Sequence, residues 1–208
     1  WMGYMDTAAR LYRYPFTDQL LIHAQHPQAT ACASLELWNE KMFRWVNRGA
    51  RGIALLDENG HNTRLRYVFD ISDTHMVAGG RSPYLWQMQE HQQEEILTHL
   101  AEAYGLEEKD TGTLSDALMA VARELVADSL EEYLDGLEYA AEGTYLEDLY
   151  VVTIRSDFRQ LATDSVYYML CRRCGLEPME LLEEEDFMHI NDYNRLSVLT
   201  FLGNAASQ

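Results

Sequence analysis

No stretch of the sequence approaches the roughly 18 consecutive apolar residues that a membrane helix needs, and no charged-then-apolar signal segment opens it. A membrane partner is therefore not expected, and the protein reads as soluble and cytoplasmic. Cysteine is scarce: Cys32, Cys171 and Cys174 form no even disulfide framework, and a reducing compartment keeps them as thiols. The sequence contains no phosphate-binding loop, dinucleotide fingerprint, nucleophile elbow or HExxH pattern. His75, His91 and His99 have no Ser, Cys or Asp at a recognisable motif spacing. Neither catalysis nor a cofactor is expected. Internal repeats, low-complexity tracts and long linkers are also missing.

Basic residues are few, 16 Lys and Arg against 34 Asp and Glu, for a net charge of −18. Their distribution carries more information than their number. Residues 1–66 hold eight of the basic residues and six of the acids, a net of +2, and the remaining 142 residues hold eight and 28, a net of −20. Nucleic acid is attracted to the first part and repelled by the second. With 47% hydrophobic residues the 208-residue chain can bury a core. Residues 1–80 and 81–208 read as two subdomains packed closely together. Opening at Trp1 and stopping in the apolar run Leu196 to Ala206, the chain looks like a piece of a longer protein, whose other domains would be its partners.

Residues 2–12 carry apolar positions at helical spacing, and Pro15 ends that run. Thr17 is placed to cap a second helix through Leu20, Leu21 and Ala24, closed by Pro27, and Ser34 to cap a third over residues 35–42. Short strands are expected at Arg44 to Asn47, Ile53 to Leu56 and Thr63 to Phe69. Gly49 and Gly52 would turn the chain between the first two, and Asn59-Gly60 between the last two. That pattern predicts a three-stranded antiparallel meander, with Leu65, Tyr67 and Phe69 on one face of its last strand and Arg64 and Arg66 on the other. Asp70 to Gly80 reads as a bounding loop. Beyond it the periodicity is helical, with Pro83 opening a stretch that Gly105 ends. Thr113 with Asp116 and Thr144 with Glu147 read as capping pairs, and Gly175 closes a helix ending at Cys174. The fold class is α+β, N-terminal helices with a small antiparallel β-hairpin or meander followed by an acidic bundle of four to six helices.

The candidate binding surface is the basic-aromatic tip, Lys41, Arg44, Trp45, Asn47, Arg48 and Arg51, joined across the hairpin by Arg64 and Arg66. Single-stranded nucleic acid is held by guanidinium groups on its phosphates and aromatic faces under its bases. In the competing reading Trp38 and Trp45 are core anchors and the arginines an ordinary solvated rim. His23, His26, Cys32 and the Cys171-Arg172-Arg173-Cys174 motif are a candidate metal set. Structural zinc sites favour tight clusters on turns, and this C-x-x-C ends a helix, so no metal is expected. The run Glu183 to Asp186 reads as a solvated face.

Asp18-Gln19-Leu20-Leu21, then Trp38, then Trp45-Val46-Asn47-Arg48-Gly49-Ala50-Arg51-Gly52-Ile53 together resemble the N-terminal module of ArdC-type antirestriction proteins. There the pattern is Asn-x-x-Leu-Leu, an aromatic helix and a Val-x-Lys-Gly turn; here Asp18 and Arg48 replace the Asn and the Lys. A nearer likeness is to the N-terminal region of large multidomain proteins of conjugative elements, in which helicase-like or DNA-methylase modules follow. It extends over Arg66-Tyr67-Val68-Phe69-Asp70 and Cys174-Gly175. The resemblance implies a non-catalytic accessory domain of a mobile-element DNA-processing protein that binds single-stranded DNA. It implies no proteolysis, because nothing matches the zinc-protease half. The rival reading is an acidic interaction module, docking a basic protein on residues 81–208 or imitating the charge of DNA. An enzyme reading would need a metal on His23 and His26.

Overall fold

Helix α1 (Met2–Arg10) turns Tyr4, Met5, Ala8 and Ala9 inward, as its apolar spacing requires. Helix α2 (Phe16–Gln25) begins one residue before the expected Thr17 cap. Pro15 is the N-cap instead, extended at ψ 160° and without a capping side chain. Phe16 is thereby swung under Tyr4, ring edge to ring face at 5.5 Å. The Tyr4 hydroxyl donates to Gln19 Oε1 at 2.8 Å, so a polar residue on the buried side of α2 is satisfied.

The computed structural model describes residues 1–57 and 64–207 and divides into two compact units, Met2–Trp86 and Gln87 onward together with Trp1. In the first, strands β1 (Cys32–Ala33), β3 (Ile53–Asp57) and β4 (Arg64–Asp70) form an antiparallel sheet in the order β1-β4-β3. Its inner face brings Ile53, Leu55 and Val68 onto Leu11, Ile22 and Ala29, the core of the unit. This orientation turns Leu65 and Tyr67 to solvent. Arg66, on the inner face, is ion-paired with buried Asp18 of α2. The Gln25 side chain closes the outer edge of β3, accepting from Ala54 N at 3.0 Å and donating to Ala54 O at 2.9 Å. The Asn59-Gly60 turn lies outside the described residues.

Strand β2 (Arg44–Val46) does not join a meander with β3. It pairs with β5 (Thr74–Met76), inside the expected bounding loop, as a separate antiparallel ribbon. Asn47 N extends the pairing to Asp73 O at 2.8 Å. Between residues 35 and 42 the helix carries a π turn (Leu37–Lys41), with Ser34 Oγ accepting from Leu37 N as its cap. Trp38 is buried there and donates its indole N–H to Phe69 O at 2.8 Å, whereas Leu35 and Leu37 are exposed.

Asp70 joins these parts. Its carboxylate, 1% exposed, accepts from Thr30 N (2.7 Å), Ala31 N (2.9 Å), Ser72 N (3.0 Å) and Ser72 Oγ (2.6 Å). Burial pushes this carboxyl up, but the bonds from Ser72, Ala31 and Thr30 outweigh burial and hold it below the ordinary carboxylate value. Its stabilising contribution is present above the unfolded carboxylate pKa of about 3.9 and is lost as pH falls through the lower folded value. Asp70→Asn, which replaces one acceptor by a donor, is expected to cost about 1.5–3 kcal/mol at neutral pH. Denaturant melts should show that deficit shrinking below about pH 4.

In the second unit α3 (Gln93–Tyr104) starts after a 3-10 turn at Glu90–Gln92, ten residues beyond the expected Pro83 start, and ends at Gly105. Helix α4 (Leu114–Ala140) is capped by Thr113 Oγ1, which accepts from Asp116 N at 3.1 Å. Helices α5 (Val151–Cys174) and α6 (Leu196–Ala206) pack on it. Gly136 of α4 admits the ring of Phe201 from α6 so closely that an added Cβ would lie 2.3 Å from it. Residues 161–168 of α5 are buried on every side. They include Asp164, whose carboxyl burial pushes up to about 6 against the hydrogen bond from Gln160. A raised carboxyl contributes nothing unfavourable below the unfolded pKa and a growing penalty as pH rises through about 6. Asp164→Asn should therefore stabilise the protein by about 1–3 kcal/mol at pH 8 and by little at pH 4, read from urea melts at the two values.

Candidate nucleic-acid interface

Strand alternation decides the chemistry of the β2–β5 ribbon. Trp45 stands opposite His75 on its solvent face, while Arg44 and Val46 point the other way toward the positions of Met76 and Thr74. Trp45 is 56% exposed and Arg44 is 9% exposed. Arg44 Nε donates to Thr74 Oγ1 at 2.9 Å and its terminal nitrogen to Thr74 O at 3.5 Å. The expected phosphate contact by Arg44 is thus corrected: its guanidinium is spent closing the ribbon. Arg66 is likewise committed, half-buried against Asp18.

Beyond Trp45 the chain reverses through Asn47-Arg48-Gly49-Ala50, closed by Ala50 N on Asn47 O at 3.0 Å, with Gly49 at φ 89° as the left-handed position needs. Arg48 and Arg51 are exposed around this turn, and neither makes an ion pair among the described residues. His75 Nδ1 and Asn47 Oδ1 lie 2.7 Å apart, a contact that the Nδ1–H tautomer satisfies, so Asn47 orients the imidazole beside Trp45. Lys41 is exposed at the end of the π turn. Arg64 is exposed at the start of β4, with Asp57 as its register partner. The ribbon and its turn therefore bring together Trp45, Asn47, Arg48 and Arg51, with His75 added.

Three features went unread in the sequence. Phe43, 48% exposed, holds φ 51°, a left-handed conformation rare for a bulky residue. Its carbonyl accepts from Val77 N at 3.2 Å, and a Cβ at Gly80 would come within 2.6 Å of that oxygen. His75 lay in the presumed loop. Arg13 stacks over the Tyr12 ring at 5.5 Å beside a cavity of about 250 Å³ that Met42 and the exposed Tyr84 also line. The adjacent pair Tyr12-Arg13 was the one sequence signal for that last feature.

Of the candidate metal ligands, His23 is engaged by a side chain, whereas the buried Nδ1 of His26 has no hydrogen-bond partner among the described residues. His23 Nδ1 is 2.9 Å from Thr7 Oγ1, and among the described residues no group of three or more His, Cys, Asp or Glu is arranged to hold a metal ion. Burial pushes the Cys32 thiol up to about 12, with Asp70 and Asp73 adding to it, and the Cys171 thiol up to about 11. Cys174 is raised by burial as well, so the C-x-x-C sulfurs stay protonated and unreactive inside the last turn of α5. No family model matches the chain, and no curated protein or solved structure matches it either.

The division of the arginines is open to measurement. Arg44→Ala should destabilise the protein by about 1–3 kcal/mol, because Thr74 loses its buried partner. Arg48→Ala and Arg51→Ala should each stay within about 0.5 kcal/mol of the parent. Equal melting of all three in denaturant would contradict the burial of Arg44.

Proposed function

We propose that the Met2–Trp86 unit binds single-stranded DNA across the solvent face of the β2–β5 ribbon, as a non-catalytic accessory module of a mobile-element DNA-processing protein. One observation carries the reading: an exposed Trp45, set against His75 by strand pairing, precedes a turn whose two arginines are exposed. Trp45 offers a π-face on which any base can stack, and Arg48 and Arg51 lie within a few residues to meet the phosphates that flank it. Phe43 supports the same reading, since its strained backbone holds an aromatic ring half in water. No base edge is read, so sequence preference should be weak. The resemblance to ArdC-type modules points to the same ligand class.

Binding of the chain to a labelled single-stranded oligonucleotide should weaken steeply with salt, at about −0.7 log units per neutralised phosphate. Arg48→Ala/Arg51→Ala should flatten that slope by about 1.4 units if each arginine makes one contact. Trp45→Ala should lower affinity by about 1–3 kcal/mol at every salt concentration, the signature of lost stacking. No binding at low salt by a folded chain would hand the reading to the acidic interaction module instead.

A further inference from the structure

We infer that the second unit carries a docking groove for a basic amphipathic helix of a partner protein. The groove is a cavity of about 420 Å³ between the C-terminal half of α4 and the start of α5. Its floor is apolar, built from the buried Leu137 and Leu146 with Leu134, Leu149 and Ile154, and one wall is acidic. Glu131, Asp135 and Glu138 recur along that wall every three or four residues, so they form a single stripe on α4, and Glu142 continues the wall just past the end of the helix. The helical stripe covers seven residue steps, or about 10 Å of helix, two turns.

Only the first of these carboxylates is neutralised. Glu131 is ion-paired with Arg155, while Asp135, Glu138 and Glu142 have no cationic partner among the described residues. Val151 lines the groove and is 73% exposed, and its chain neighbours Tyr150 and Val152 are 82% and 73% exposed. Scattered apolar residues on a surface need no explanation, but an exposed apolar run that reaches into an apolar groove marks an interaction site. Tyrosine is also the residue type that supplies much of the binding energy where such sites have been dissected.

Charge complementarity selects the occupant. An apolar floor beside a two-turn acidic stripe fits a helix whose apolar face enters the groove and whose Lys or Arg residues, spaced three or four apart, meet the carboxylates. An acidic helix would be repelled at every turn, and a flat polar partner would leave the floor unfilled. The inference is independent of DNA binding by the other unit.

The test uses the full chain and a fluorescent synthetic helical peptide, with Leu at i, i+3 and i+7 and Lys flanking that face. Saturable binding is expected, weakening with salt. The same peptide with Glu for Lys should bind at least tenfold more weakly. Glu138→Lys/Glu142→Lys should lower affinity tenfold or more, and so should Val151→Ser/Ile154→Ser, which leaves the net charge unchanged. Glu102→Lys/Glu108→Lys, which changes the net charge equally at exposed positions that do not line the groove, should bind as the parent does. Circular dichroism confirms that each variant is folded, and Val151→Ser alone serves if the double variant is not. Lack of saturable binding, equal binding of the Glu peptide, or an equal loss in the Glu102/Glu108 variant would overturn the groove.

Discussion

A single buried carboxylate holds the first unit in register. Asp70 ends β4, and its two oxygens accept four hydrogen bonds, two from the segment that leads into β1 and two from Ser72 in the 3-10 turn that follows. A buried charge without such donors would be prohibitive, whereas bonds to a charged acceptor contribute about 1.5–3 kcal/mol each. The consequences run outward along the chain. Fixing Thr30 and Ala31 aligns Cys32 against Asp70 and so forms β1, and fixing Ser72 sets where Thr74 starts β5. The ribbon that displays Trp45 thus depends on an acid that never meets solvent.

Arginines in the same short stretch have been put to opposite uses. Arg44 and Arg48 are four residues apart, yet one is bonded to Thr74 inside the ribbon and the other stands in water. Pairing decides this, because in a two-stranded ribbon either Arg44 or Trp45 must face inward. A guanidinium is weakly hydrated and here places two of its five donors on a hydroxyl and a carbonyl, which lowers the cost of its burial. The larger apolar ring is left exposed, a cost that hydrophobic burial alone would not select. Arg66 is similarly drawn in by Asp18, which itself is buried on α2.

Local chemistry was legible in the sequence and non-local pairing was not. Thr113, Ser34, Gly105 and Gly175 act at the helix ends where they were expected, because a cap involves only residues within one turn. Thr17 failed because Pro15 could start the helix earlier with no hydroxyl at all. Pairing of β2 with β5 joins residues about 30 apart through three-residue strands, too short to show an alternation pattern. The predicted hairpin was the cheaper loop closure, but Asp73 O and Thr74 offered Asn47 and Arg44 partners that a β3 neighbour did not. Of the candidate site, the turn arginines and Asn47 were legible. The outward Trp45, the inward Arg44 and the contribution of His75 all followed from that one unforeseen pairing.

The charge split constrains what each unit can bind, and by how much. Met2–Trp86 holds nine basic residues and eight acids, a net of +1, and the chain from Gln87 onward holds seven and 26, a net of −19. A unit of nearly zero net charge attracts DNA only where its cations are locally concentrated, so binding must rest on a few close contacts and on stacking. Repulsion from the acidic unit is long-ranged only at low salt, since the Debye length is about 8 Å at physiological ionic strength.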